Sequence, residues 1–145
     1  MNIVTLTKND VNKCAQTFIA SYNLPPWNYK WKLPDAEKYL AEYVDCPQFV
    51  GYMICDDDKV CGALLGHTKT WWTSNQFMVD ELFISSDKQG AGYGKMLLKQ
   101  AEVYAAANNI GMITLMTNKF MPALKFYTKN DFATFPQFAF LFKCL

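Results

Sequence analysis

The chain has 145 residues, 51% of them hydrophobic, and its 14 basic and 13 acidic side chains leave a formal net charge of +1. A chain of this length buries enough surface to fold without metals or disulfides, and its composition is unlike that of disordered or nucleic-acid-binding proteins. We therefore expect one domain over residues 1–145, with no nucleic-acid partner.

The cysteine and histidine content argues against metal and disulfide sites. One histidine and five cysteines, with no C-x-x-C pair, match neither a zinc site nor a disulfide framework. The chain opens on an alternating run rather than on a charged and then apolar leader, and no stretch reaches the roughly 18 successive apolar residues of a membrane span. We expect no metal, no membrane partner and a cytoplasmic location.

The first part of the chain predicts a strand followed by two helices. Residues 3–6 alternate like a strand, and from Asn9 apolar residues keep helical spacing for about three turns. Pro34 suits the first turn of a second helix, which we expect to end near Pro47.

A loop rich in proline and aromatic residues separates these two helices. Pro25 and Pro26 exclude helical structure there, yet the loop carries Trp27 and Trp31. Such a loop either seals the hydrophobic core or forms a substrate wall. Both tryptophans are therefore candidates for substrate binding.

Three predicted strands follow, and the third contains two adjoining acids. Residues 49–55 and 60–69 form a hairpin around a short acidic turn, which is not long enough for a calcium loop. The next strand spans residues 76–84. Asp80 and Glu81 are unusual inside a hydrophobic strand, so at least one of them should face a polar site.

Residues 89–95, Gln-Gly-Ala-Gly-Tyr-Gly-Lys, lie where that strand gives way to an amphipathic helix. Unpaired N–H groups at a helix start, with glycines that allow close approach, favour an anion such as phosphate. The spacing excludes a Walker A loop, since Met96 offers no hydroxyl for magnesium. It also excludes the dinucleotide fingerprint, because Lys95 occupies the third glycine position. A helix start that binds nothing remains the alternative.

The last part of the chain predicts four further elements after this helix. These are a strand at residues 112–116, a helix at 122–129, and a closing pair of strands at 132–135 and 138–142. The complete predicted order is strand, two helices, three strands, helix, strand, helix and two strands.

Two motifs and this order of elements resemble the GNAT N-acetyltransferases. Residues 89–94 have the Q-x-x-G-x-G pattern of that family's acetyl-coenzyme A loop, and the segment from Phe126 to Phe132 resembles its F-Y-x-x-x-G-F motif. Asp131 replaces the usual glycine, and aspartate tolerates the left-handed backbone of a helix end. The resemblance implies an α/β (α+β) fold: a mixed, mostly antiparallel sheet of about seven strands, flanked by four helices and splayed at the cofactor site.

The same resemblance implies that acetyl-CoA is the cosubstrate. Its pyrophosphate would lie on the amides of the glycine turn, and its pantetheine arm would pair with the preceding strand at a bulge, where a backbone amide would hold the acetyl carbonyl. The implied cofactor-binding residues are Leu82, Phe83, Ile84, Gln89, Gly90, Ala91, Gly92, Tyr93, Gly94, Lys95 and Asn118.

The reaction needs a base for the acceptor amine and an acid for the departing thiolate. Asp80 matches the position of an acid in several small-amine acetyltransferases of the family, whereas Glu81 should point to the opposite face of the sheet. A bulge would invert that parity and make Glu81 the base, or Asp80 could simply pair with a cationic substrate. Tyr127 resembles the family's general acid; on spacing alone it would be a core aromatic.

The remaining candidates concern the acceptor. His67 is a minor candidate for the base and otherwise a strand residue lining the site, and Trp72 joins Trp27 and Trp31 as a substrate contact. Acids together with aromatic rings favour a small cationic molecule with a primary amine, such as a polyamine or amino sugar. A protein or peptide N-acetyltransferase and a non-catalytic acyl-CoA-binding regulatory module are alternatives, and a homodimer is left open.

Overall fold

The computed structural model describes residues 1–145 and contains five strands and four α-helices. In chain order these are β1 (Asn2–Thr5), α1 (Val11–Tyr22), α2 (Leu33–Val44), β2 (Phe49–Asp56), β3 (Lys59–Lys69), β4 (Asn75–Ile84), α3 (Tyr93–Ala107), β5 (Ile110–Leu115) and α4 (Pro122–Thr128). None of the helices combines the length and the apolar character needed to cross a membrane.

The strands form one sheet in the order β1-β2-β3-β4-β5. The first four strands pair antiparallel, and β4 and β5 pair in parallel. The parallel pair follows from the connection, since α3 crosses over between these strands and returns the chain to the same end of the sheet. β5 therefore lies at one edge of the sheet, with a strand partner on one side only.

Two apolar clusters cover the two faces of the sheet. On one face α1 and α2 pack Phe18 and Leu40 against Leu65 of β3, and on the other α3 packs Leu97 against Phe77 of β4. All five of these side chains are at most 2% exposed. Helices on both faces protect a sheet whose central strand, β3, is almost continuously buried.

A bulge interrupts β4 at Asp80. Leu65 pairs with Glu81, but the next residue of β3, Gly66, pairs with Val79, so Asp80 has no partner of its own. Before this bulge Val79 belongs to the cluster on the α3 face, and after it Phe83 belongs to the cluster on the α1 face. The extra residue thus reverses which side chains of β4 face which helices.

The expected closing pair of strands is absent, and the prediction of about seven strands was too high by two. Residues 132–135 and 138–142 form no ladder, although Pro136 lies at a turn between them. The only backbone hydrogen bond within this part of the chain runs from Phe138 N–H to Phe135 O at 3.3 Å. These residues have a strand-like pattern, but a strand also needs an edge to pair with, and here no partner edge is engaged.

Candidate active site

A cleft of about 300 Å³ opens where β4 and β5 diverge. The two strands pair only as far as Val79 and Leu115, so residues 80–84 of β4 keep β3 as their sole strand neighbour. The cleft is lined by the aromatic side chains Phe18, Tyr22, Trp27, Tyr29, Trp31 and Tyr39, by Val79, Asp80, Glu81 and Leu82, and by Leu115, Met116, Thr117, Asn118, Ala123 and Tyr127.

Both acids of β4 face the α1 and α2 side of the sheet. Asp80 contacts His67, which shares a face of β3 with Leu65, and Glu81 contacts tyrosines of the two helices. The expectation that Glu81 points to the opposite face from Asp80 is therefore wrong. The bulge explains the difference, because it places two successive side chains on one face where a regular strand would alternate them.

Glu81 is held by two phenols. Tyr39 Oη donates to Oε1 at 2.5 Å, and Tyr22 Oη donates to Oε2 at 3.0 Å. Burial raises the pKa of the Glu81 carboxyl, and the two phenol donors oppose that rise without cancelling it. Burial and the Glu81 charge raise the pKa of Tyr22 and of Tyr39, so both phenols keep their protons at neutral pH.

The sequence pattern did not identify Tyr22 and Tyr39 as partners of an acid. Their helical spacing predicts burial but carries no information on what lies opposite. The available signal was the acid inside a hydrophobic strand, since a buried carboxylate needs hydrogen-bond donors.

Asp80 makes a different contact. Its Oδ2 lies 2.7 Å from Nδ1 of His67, and both side chains are partly buried. Its second oxygen accepts no hydrogen bond within the protein, although the residue lines the cleft. His67 does not line the cleft, so it contacts the site through Asp80.

Tyr127 is 8% exposed, lines the cleft and belongs to the apolar cluster on the α3 face of the sheet, whereas α1 and α2 cover the other face. Its ring packs edge-on against Phe126 and Phe132, with ring centroids 5.2 and 5.5 Å away. Burial, with a smaller contribution from the Glu81 charge, raises the pKa of Tyr127 above its usual range. The phenol therefore keeps its proton at neutral pH. Asp131, with φ of 65°, takes the left-handed conformation expected where the chain leaves α4.

The glycine turn lies between β4 and α3. Gly90 and Gly92 have φ of 78° and 87°, values that favour glycine, and Gly92 caps the first turn of α3. None of the backbone N–H groups of residues 89–95 donates to an acceptor within the protein. The side chain of Gln89 donates to Ile84 O at 3.1 Å and ties the turn to β4. Unpaired amides beside open space fit the phosphates of a nucleotide-like group.

A family model for the acetyltransferase (GNAT) family matches residues 17–132. The chain belongs to the GNAT family. It is thus an acyltransferase, and the family uses acetyl-CoA as its acyl donor. The matched range includes the cleft, the glycine turn and α4.

Solved structures share this GNAT fold at low sequence identity. An aminoglycoside acetyltransferase from an uncultured soil metagenomic sample, in complex with sisomicin, is 15% identical with a TM-score of 0.77, over 99% of this chain and 95% of that one. A ribosomal-protein-alanine N-acetyltransferase from Brucella melitensis biovar Abortus 2308 is 12% identical with a TM-score of 0.80, over 99% and 100%. A transcriptional regulator from Bacillus halodurans C-125 is 18% identical with a TM-score of 0.78, over 99% of each chain. A search of curated proteins finds no match.

The other candidate residues of this GNAT domain divide between the cleft and its surroundings. Trp27, Trp31 and Asn118 line the cleft, whereas Trp72 is 86% exposed and lies outside it. The side chain of Phe83 is in the core against Phe18, with ring centroids 5.3 Å apart, so only its backbone is available to a ligand. No group of three or more His, Cys, Asp or Glu side chains is arranged to hold a metal ion.

Gly94 has a different role from the one its sequence position suggests. A Cβ on this residue would meet the ring of Phe126 at 3.0 Å, whereas a Cβ on Gly90 or Gly92 would meet nothing within 4 Å. The absence of a side chain at Gly94 therefore lets α3 approach α4. The two left-handed glycines, by contrast, border open space.

The buried carboxylate of Glu81 should make the stability of the protein depend on pH. Since folding raises this pKa, the stability contribution of the group is greatest at low pH and is lost as the pH rises from about 4.5 through the folded-state value. Each pH unit between the two values removes about 1.4 kcal/mol. In Glu81→Gln this loss of stability should disappear, so the midpoint temperature of thermal unfolding should vary less between pH 4 and pH 7 than in the wild-type protein.

Glu42→Gln removes an exposed carboxylate of α2 and is the matched control. It should keep the wild-type dependence of stability on pH. Equal pH profiles for the wild-type protein and Glu81→Gln would contradict a raised pKa at Glu81. The comparison uses the slope with pH, since the amide also changes the hydrogen bonds of the two tyrosines.

Proposed function

We propose that this acetyltransferase moves an acetyl group from acetyl-CoA to a primary amine of a small cationic molecule by direct attack of the amine. The observation that carries the proposal is the cleft itself: two carboxylates on one face of a bulged strand, under aromatic side chains, next to a free strand edge. Acetyl-CoA supplies a thioester whose carbonyl carbon the amine attacks, with coenzyme A leaving as a thiolate.

The backbone supplies the cofactor contacts in this proposal. The unpaired amides of residues 89–95 receive the pyrophosphate, and the unpaired edge of β4 from Leu82 to Ile84 receives the amides of the pantetheine arm. The Leu82 amide stands beside the acids and would stabilise the oxyanion that develops on the acetyl oxygen. Asn118 lines the cleft, but its Oδ1 already accepts from Phe120 N–H, so only its amide nitrogen is free for the arm.

The acceptor contacts come from side chains. A protonated amine gains from carboxylates and from aromatic faces, and this cleft presents both Asp80 and Glu81 with Trp27 and Trp31. No lysine lines the cleft to oppose a cation. The volume of about 300 Å³ suits one amine-bearing portion of a small molecule rather than a bulky side chain with its flanking peptide.

Asp80 is the better placed of the two acids to remove the amine proton. Both oxygens of Glu81 already accept phenol donors, whereas one oxygen of Asp80 has no partner within the protein and the residue lines the cleft. His67 fixes the other oxygen of Asp80 and so orients the carboxylate. In this arrangement Glu81 contributes negative charge that holds the cationic amine, and Asp80 takes its proton directly or through a water molecule.

Tyr127 donates a proton to the departing thiolate. Tyr127 lines the same cleft as the acids, and its phenol keeps its proton at neutral pH because burial raises its pKa. A neutral phenol buried beside the sulfur would transfer its proton only late in the reaction, when negative charge develops on the sulfur.

Replacement of the base should reduce turnover of cationic amines. We expect Asp80→Asn to lower kcat/KM by about 100-fold or more toward polyamines and amino sugars, since a general base typically contributes 10² to 10⁴. Thiol release from acetyl-CoA, measured against a panel of polyamines, amino sugars, neutral amino acids and peptides, checks both the residue and the acceptor class. Asp45→Asn, at an exposed position, is the control.

Turnover restricted to peptides or neutral amino acids would contradict the acceptor class. Activity of Asp80→Asn equal to that of the wild-type protein would contradict the assigned base. The two results are independent, so each part of the proposal can fail separately.

Removal of the Tyr127 hydroxyl should affect turnover rather than cofactor binding. We expect Tyr127→Phe to lower kcat by about 10-fold to 100-fold with little change in the KM for acetyl-CoA, because only a proton delivered late in the reaction is lost. Tyr104→Phe, in the same apolar cluster but outside the cleft, is the matched control. Unchanged kcat for Tyr127→Phe at saturating substrate would leave this tyrosine with a packing role alone.

A side chain in the glycine turn should weaken coenzyme A binding. We expect Gly92→Ala to reduce affinity by about tenfold, roughly 1.4 kcal/mol, because the methyl group would enter the open space beside the amides and the left-handed backbone would be strained. Calorimetric titration with coenzyme A measures this loss. Asn109→Ala places an alanine at another left-handed position, with φ of 55°, just beyond the other end of α3, and controls for destabilisation of this helix. Equal affinities of the two variants would count against the phosphate role of the turn.

A further inference from the structure

One wall of the cleft is a loop rather than a helix or a strand. Residues 23–32 connect α1 to α2, and we call them the aromatic loop, since Trp27, Tyr29 and Trp31 of this loop line the cleft. A loop keeps a fixed position only where its backbone groups and side chains find partners. The position of these three rings relative to the acids of β4 therefore depends on what holds the loop.

The first part of the aromatic loop is held by backbone hydrogen bonds. The last of them runs from Tyr29 N–H to Tyr22 O at 2.9 Å. The next backbone bond along the chain, from Ala36 N–H to Lys32 O, already belongs to the start of α2. Between these two bonds, neither backbone group of Trp31 has a partner in the main chain.

The side chain of Asn23 supplies both of the missing partners. Trp31 N–H donates to Asn23 Oδ1 at 2.9 Å, and Asn23 Nδ2 donates to Trp31 O at 2.8 Å. The amide thus makes the pair of hydrogen bonds that a neighbouring strand would otherwise make. Asn23 directly follows α1 and is partly buried, but it does not line the cleft. Any effect it has on a bound molecule must pass through the loop.

The same end of α1 also holds one of the acids. Tyr22, the residue before Asn23, donates from its phenol to Glu81 Oε2 at 3.0 Å. The ring of Trp31 packs against the ring of Tyr39, with centroids 5.0 Å apart, and Tyr39 is the second phenol on Glu81. The hydrogen bonds of Asn23 therefore fix the Trp31 ring relative to a carboxylate that is itself held from α1 and α2.

We propose that Asn23 is a positioning residue for the acceptor, because its amide holds the aromatic loop in place before the amine binds. The inference rests on the proposed function, in which aromatic faces and carboxylates together receive a cationic amine. A wall that is already ordered loses little conformational freedom when the acceptor enters. Without the two hydrogen bonds, only a fraction of the molecules would have the loop in place, and the apparent affinity for the acceptor would fall by that fraction.

Steady-state kinetics of two variants test this role. Asn23→Ala removes the amide, and Asn23→Leu keeps roughly its volume but neither hydrogen bond. In both variants we expect the KM for the amine that the wild-type protein uses best to rise about tenfold, while kcat and the KM for acetyl-CoA stay within about twofold. Asn108→Ala is the matched control and should keep all three constants. Asn108 follows α3 as Asn23 follows α1, and its Nδ2 donates to Tyr104 O at 2.9 Å outside the cleft.

Tryptophan fluorescence observes the aromatic loop directly and does not depend on turnover. The chain has four tryptophans. Replacing Trp71 and Trp72, which lie outside the cleft, with phenylalanine leaves Trp27 and Trp31 as the only ones. In this background Asn23→Ala should raise the quenching constant for acrylamide, because the loop rings become more accessible, whereas Asn108→Ala should leave it unchanged.

Three results would overturn the proposal. A wild-type acceptor KM in Asn23→Leu would mean that the side chain only fills space, and unchanged quenching in Asn23→Ala would mean that the loop keeps its position without the amide. A fall in kcat that Asn108→Ala shares would indicate general destabilisation. A wild-type protein that acetylates no amine would instead contradict the proposed function, and the quenching comparison would still decide whether Asn23 holds the loop.

Discussion

The single extra residue in β4 determines how the rest of the site is arranged. Because Asp80 has no partner on β3, the alternation of side chains along β4 shifts by one residue between Val79 and Glu81. Both acids therefore face α1 and α2. The same irregularity coincides with the end of pairing to β5, after Val79. One local departure from a regular strand thus places both acids on the face covered by α1 and α2, beside a backbone edge of β4 that β5 leaves free.

The features that the sequence predicted well depend on local chemistry. The conformation of the glycine turn is predictable because glycine spacing at a helix start limits the backbone there, and Gly90 and Gly92 indeed have positive φ. The order of the first nine elements follows from hydrophobic period and from turn residues, and α2 ends at Val44, only shortly before Pro47. Asp131 could likewise be assigned a left-handed conformation from the helix that precedes it.

The features that the sequence did not predict depend on partners far along the chain. The direction of Glu81 depends on a register shift against β3, which residue spacing within β4 does not contain. Its contact with Tyr22 joins residues 59 positions apart, and its contact with Tyr39 joins residues 42 apart. The prediction of two closing strands was wrong for the same reason. Residues 132–142 have strand propensity, but pairing requires a partner edge, which propensity does not supply.

Two kinds of structural element form the cleft and its surroundings, and they differ in how much sequence change they tolerate. The turn and the free edge of β4 present backbone groups, whose positions depend on the fold more than on individual side chains. The walls that α1, α2 and the intervening loop form consist of side chains such as Tyr22, Trp27 and Trp31. These side chains can change while the fold persists. This division accounts for structures only 12 to 18% identical that keep TM-scores of 0.77 to 0.80 while differing in what their names describe. The acceptor therefore has to be argued from the aromatic and acidic side chains of this chain, since the shared backbone carries no information about it.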